Sequence, residues 1–184
     1  MRRVAREDLA DWVTYDERRT ETRPRAIAEK DRRRIVLGEH LTFLFENHAT
    51  VLYQIQEMMR AERIVREEDI RHEMETYNEL LGGPGELGCT LLIAIEDPVL
   101  RVQRLREWLG LPDALYVRLA DGRRIAARSD ARQRGDDRLS SVQYLKFATG
   151  GAVPVAIGTD FPALRAEANL TEEQRAALAA DLRA

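Results

Sequence analysis

The sequence predicts an α+β domain: a mostly antiparallel sheet covered by helices, with a long central helix pair and an N-terminal arm. Three observations predict it. Two β-rich segments, residues 34–45 and 115–127, are each broken by a short glycine-containing turn. Two helical periodicities follow one another between residues 48 and 81. The element order, ββαα-β-α-ββ-β-β-α, sets hairpins beside helices rather than alternating strand with helix.

Residues 1–32 are polar and mixed in charge, and they read as the arm, with Leu9, Trp12, Val13 and Tyr15 as the apolar group that pins it to the body. In 34–45 the break falls at Gly38-Glu39, a hairpin turn with glycine at its first position. Leu41, Phe43 and Phe45 alternate onto one inward face, whereas Ile35, Val36 and Leu37 leave their register open. Asn47 can accept a free first-turn N–H, so it caps a helix over 48–66 that buries Leu52, Ile55 and Met59. A second helix, 67–81, places Ile70, Met74, Tyr77 and Leu81 at spacings of four, three and four. Gly82-Gly83-Pro84-Gly85 stops it.

Residues 90–95 form a nearly all-apolar central strand. Asp97 followed by Pro98 opens a helix that Gly110 ends. Residues 115–120 and 123–127 form a hairpin across Asp121-Gly122, a pair suited to the two positive φ angles of a type I′ turn. Residues 128–138 are charged and predict a mobile loop. A strand follows at 142–147, and a shorter one at 153–157 that Pro154 keeps near an edge. Thr171 and Gln174 form a capping box for a last helix ending near 183.

The chain has 184 residues, 44% hydrophobic and 33% charged, which suits a single domain over 1–184. A chain of this length buries about 70% of its unfolded surface and needs neither metal nor disulfide to fold. With 29 basic against 32 acidic residues, wholesale nucleic-acid binding is disfavoured. Cys89 is the single cysteine, which excludes an intramolecular disulfide, a Cys-x-x-Cys pair and a cysteine-held iron–sulfur cluster. The longest apolar run, 89–95, is far below a membrane span. The first residues turn acidic where a signal peptide would turn apolar, so the expected setting is cytoplasmic, without a membrane partner.

Gly83 to Gly88 fits a dinucleotide fingerprint in letters only, because that motif leaves a strand and opens a helix, and here the order is reversed. His72-Glu73 begins a zincin motif, but Thr76 occupies the second ligand position. Asp69 and His72 have a carboxylate–histidine spacing in a single copy, too few for a di-iron bundle. Cys89 reads as a small core residue.

The remaining polar concentration lies on the central helix pair: Glu46 and His48 at its start, Gln54 and Glu57 one turn apart, then Tyr77 and Asn78 on the second helix. Converging carboxylates and amides suit an acid/base pair or a hard divalent metal; the competing reading is that Glu46 favours a helix N-terminus and Gln54 and Glu57 face solvent. Glu57 is the first choice among them. A second concentration is basic, with eight basic and three acidic residues from 18 to 34. Its contact candidates are Arg23, Arg25, Arg32, Arg33 and Arg34, set against an acidic stretch at 56–79.

Arg23-Pro24-Arg25-Ala26-Ile27, Phe45-Glu46-Asn47, the helix from Tyr53 to Ile64 with its Gln54-x-x-Glu57-Met58 core, Ser140-Ser141-Val142 and Gly158-Thr159-Asp160 resemble an uncharacterised bacterial protein family of unknown function. Members are commonly encoded beside a rubrerythrin and a heterodisulfide-reductase-type iron–sulfur oxidoreductase, and the resemblance implies these proteins as partners in a redox or oxidative-stress setting. Histidines often stand in that family where this chain has Gln143 and Phe161, and His48 replaces a usual arginine. The expectation is therefore a non-catalytic, partner-binding accessory protein without a bound cofactor. The alternative is a small enzyme or metal-binding protein with a polar pocket on the first long helix.

Overall fold

The computed structural model describes residues 1–130, 135 and 137–184. Among the described residues, nine strands form two sheets in which every pairing is antiparallel. The larger contains β1 (Arg34–Leu37), β2 (Leu41–Glu46), β3 (Leu87–Ile93), β6 (Arg128–Ser129) and β7 (Val142–Phe147), in the order β1-β2-β3-β7-β6. The smaller contains β4 (Leu115–Leu119), β5 (Arg124–Ala126), β8 (Pro154–Thr159) and β9 (Ala166–Asn169), in the order β5-β4-β8-β9. The α-helices among the described residues are α1 (Trp12–Asp31), α2 (His48–Glu62), α3 (Glu67–Asn78), α4 (Pro98–Glu107) and α5 (Glu172–Arg183). Together they make the α+β architecture that the sequence predicts.

The open register of the first hairpin resolves by alternation. Ile35 and Leu37 turn inward with Leu41, Phe43 and Phe45, while Val36 points out and is 60% exposed. The inward residues of β3 and β7 continue this face into a main core closed by Trp108 and Leu111, by Val117 and Ile157 of the second sheet, and by Leu178 of α5. The other face of the large sheet carries a second core, in which Val51, Ile55 and Met59 of α2 meet Ile70 of α3 and Leu80 and Leu81 beyond it. Val4 and Leu9, from the first residues of the chain, complete that core.

The central helix pair lies where periodicity puts it, although α2 stops at Glu62 because Arg63 takes a left-handed conformation (φ 52°). Asn47 caps α2 by accepting the Thr50 N–H, and Asp97 caps α4 in the same manner. The glycine-rich turn after α3 has a packing role. A Cβ on Gly88 would lie 1.8 Å from the Leu80 carbonyl oxygen, and one on Gly82 would lie 2.2 Å from that of Glu86. Only glycine lets the chain cross itself there.

Four local expectations change. Within 1–32, residues Trp12–Asp31 form a twenty-residue helix capped by Asp11, with Pro24 inside it. The Asp121-Gly122 turn is not type I′: Gly122 has φ 86°, but Arg63 is the one non-glycine residue with positive φ among those described. The Gly122 N–H closes on the Leu119 carbonyl, and the glycine then absorbs the left-handed step of a three-residue loop. Pro154 opens β8, which lies between β4 and β9 rather than at an edge; the missing N–H falls on the first strand residue, where the register with β4 shifts at Arg118/Leu119. In the stretch read as a mobile loop, Arg128–Ser129 pairs with β7, while residues 131–134 and 136 lie outside the described residues. No helix among the described residues is long and apolar enough to cross a membrane.

Candidate functional site

The central carboxylate of the polar concentration, Glu57, faces α1. Its Oε1 accepts from the Tyr15 hydroxyl at 2.7 Å and from Arg19 Nε at 2.7 Å, and its Oε2 accepts from Arg19 Nη2 at 3.0 Å. The Arg19 guanidinium holds the Glu57 carboxyl below its ordinary range, against the opposing effect of partial burial. Burial, with the Glu57 charge beside it, pushes the Tyr15 phenol up. This knot ties α1 to α2.

At the penultimate position of α1, Lys30 reaches the same face of α2. Its Nζ lies 3.4 Å from Gln54 Oε1 and 4.9 Å from the centre of the Tyr53 ring, with Tyr77 beside Gln54. Desolvation pushes the Lys30 amine down, partly offset by the charges of Glu46 and Glu57. Glu46 itself is buried, and its two oxygens accept from the Thr50 hydroxyl at 2.5 Å and the Thr90 hydroxyl at 2.7 Å. Glu46, Gln54, Glu57 and Tyr77 are therefore brought together around α1. Lys30 and Arg19, which no local spacing marks, are what gathers them.

His48 and Asn78 face elsewhere. His48 Nε2 lies 3.2 Å from Asp8 Oδ2, and Asp8 is also paired with Arg2, whose hydrogen bond holds the Asp8 carboxyl well below the usual carboxylate range. Asn78 grips the main chain of Val4, accepting its N–H at 2.8 Å and donating to its carbonyl at 2.9 Å. Gln56 does the same at Ala10, at 2.9 and 3.1 Å. These carboxamides fasten the first residues over the second core. Among the described residues, no group of three or more His, Cys, Asp or Glu converges as a metal would require. Burial pushes the Cys89 thiol well up, as befits a core residue.

The five arginines read as contacts divide. Arg33 is 4% exposed and binds Asp181 through Nε at 2.8 Å and Nη2 at 2.9 Å, with Glu29 at 2.7 Å from Nη1. It is a buried structural residue and cannot meet a partner. The partner that buries it is 148 positions away, beyond any local pattern. Arg32 pairs with Glu29, and Arg34 with Asp31 at 3.3 Å. Arg23 and Arg25 are exposed on α1 and have no ionic or hydrogen-bonding side-chain partner among the described residues, and Arg18 shares that state.

The class defined by these features is an α+β protein with an internally satisfied polar seam and an open basic helix. Residues 3–182 match the family model described as "Protein of unknown function (DUF3501)", and the chain belongs to that family. It is similar to a protein of unknown function from Burkholderia pseudomallei known from a crystal structure, with 31% identity over 98% of this chain and 100% of that one, and a TM-score of 0.91. No curated protein matches the sequence.

Proposed function

We propose that this protein is a non-catalytic binding protein that docks an acidic partner on α1, through Arg18, Arg23 and Arg25. The observation that carries this reading is their lack of internal partners: three guanidiniums on one helix stand in solvent, while the best acid/base candidate, Glu57, is engaged through both oxygens by Arg19 and Tyr15. A carboxylate engaged through both oxygens and held below its ordinary pKa is not poised for proton transfer near neutral pH. Free guanidiniums speed encounter with carboxylate-rich surfaces and fix its register. The resemblance of the sequence supplies the partners to try first, the rubrerythrin-like and iron–sulfur oxidoreductase proteins encoded beside family members, in a cytoplasmic redox setting.

The test immobilises the full chain and measures binding of each of those two proteins. Wild type is expected to bind at least one, more weakly as salt rises, and the triple variant R18E/R23E/R25E to lose that binding. Equal binding by wild type and variant, or no binding of either protein by wild type, overturns the reading.

A further inference from the structure

Between α1 and α2 runs a groove of about 420 Å³, a volume in the range of small-ligand sites. One helix face from each side builds it. α1 contributes Arg18, Thr22, Arg25 and Ala26, at i, i+4, i+7 and i+8, and α2 contributes Ala49, Leu52 and Tyr53, at i, i+3 and i+4. Its surface is mostly apolar. Small side chains at Ala26 and Ala49 leave the space between the two helix faces unfilled, and the Tyr53 ring supplies an aromatic lining.

The charges at the rim are unequal in state. Two carboxylates line the groove, and both are already committed. Asp8 binds Arg2, His48 and the Ala5 N–H, and Glu29 binds Arg33, Arg32 and the Asn47 amide. Arg18 and Arg25 have no such partner. They lie seven residues apart on the same face of α1, about 10 Å along its axis. An occupant would therefore meet an apolar wall and uncompensated positive charge.

We infer that this groove binds a small amphipathic anion, an apolar body carrying a carboxylate or similar oxyanion that pairs with Arg18 and Arg25. An apolar neutral molecule would leave the guanidiniums unused, and a cation would be repelled. A small hydrophilic anion would gain nothing from the wall. The inference goes beyond partner docking, and the two separate experimentally because Arg23 does not line the groove while Ala49 lies outside the docking set.

The test titrates the full chain with decanoate, below its micelle-forming concentration, by calorimetry, with decanol as the uncharged control. Wild type is expected to bind one decanoate saturably, and at least tenfold more tightly than decanol. R18Q/R25Q should weaken decanoate about tenfold or more, because charge-assisted hydrogen bonds are lost, and leave decanol unchanged. Ala49→Phe fills the groove without touching a charge and should abolish decanoate binding, and Ala26→Phe does the same from the opposite wall if the first variant does not fold. Absence of saturable binding by wild type, decanol binding as tightly as decanoate, or undiminished binding by a folded groove-filling variant overturns the inference. R23E should keep decanoate binding while weakening protein docking, so a protein that binds decanoate but no partner removes the docking reading alone.

Discussion

Arg32, Arg33 and Arg34 at one end of the basic stretch, and Arg18, Arg23 and Arg25 at the other, carry the same side chain in opposite circumstances. The first group is spent on the fold: Arg33 joins the end of α1 to α5 through Asp181, and its neighbours close short ion pairs with Glu29 and Asp31. The second group lies on a helix with a single buried residue, Tyr15, and meets solvent. Depth sets Arg33 apart from all the others, since Arg32 and Arg34 are exposed and are paired only because an acidic residue stands three positions before each. A buried guanidinium such as that of Arg33 must be paired, because an unpaired buried charge is costly, whereas a solvent-exposed one on α1 has no such obligation. A basic run thus becomes partly architecture and partly a free surface.

The sharpest way to break this contrast is Arg33→Met. Asp181, 6% exposed, would keep its charge without its bidentate partner, and unfolding stability should fall by about 3–5 kcal/mol. Denaturant unfolding measures it, and the double variant R33M/D181L should recover much of the loss. A single variant as stable as wild type would mean that the pair does not hold the helices together.

Glu57→Gln tests the intermediate case, a pair at the α1–α2 seam that is partly open to solvent. It should cost about 1 kcal/mol at neutral pH. The pH dependence has a definite sign. The folded-state pKa of Glu57 lies below its ordinary value of 4.5, so its contribution is fully present above that value and is lost as pH falls through the folded-state pKa. The stability gap between wild type and variant should therefore narrow on acidification below about 4.5 and close once Glu57 is protonated in both states. A gap that widens in acid would contradict the Arg19–Glu57 account.

The smallest effect belongs to the exposed arginines of α1. R18Q/R23Q/R25Q should change unfolding stability by no more than about 0.5 kcal/mol, since none of the three has an internal partner to lose. A loss of several kcal/mol in thermal or denaturant unfolding would place these residues in the fold.

The sequence discloses the elements better than their neighbours. Helical periodicity and the caps at Asn47, Asp97 and Thr171 locate α2, α4 and α5, because capping and amphipathicity are local. α1 is hidden for the same reason in reverse: it buries one residue and contains a proline, so neither period nor composition marks it as helix. At the site, the one-turn spacing of Gln54 and Glu57 is legible in the sequence, and Tyr77 joins them only through the packing of α3 against α2. Lys30, Arg19 and Tyr15 are not legible there, because their meeting with α2 depends on how two helices pack. The separation of Arg33 from Arg25 was equally out of reach, since Asp181 decides it from the far end of the chain.

The two carboxamide grips at Val4 and Ala10 have a consequence for how freely the first residues can drift. Asn78 and Gln56 hold peptide groups, which every residue except proline presents alike, so these two anchors recognise the leading segment by its backbone, while its side chains are constrained where Val4 and Leu9 enter the second core and where Arg6 and Asp8 meet Glu67 and His48. Proline at position 4 or 10 is the forbidden letter, because it would remove the one N–H that each amide oxygen accepts. The segment behaves like a strap fastened by buckles that ignore its pattern.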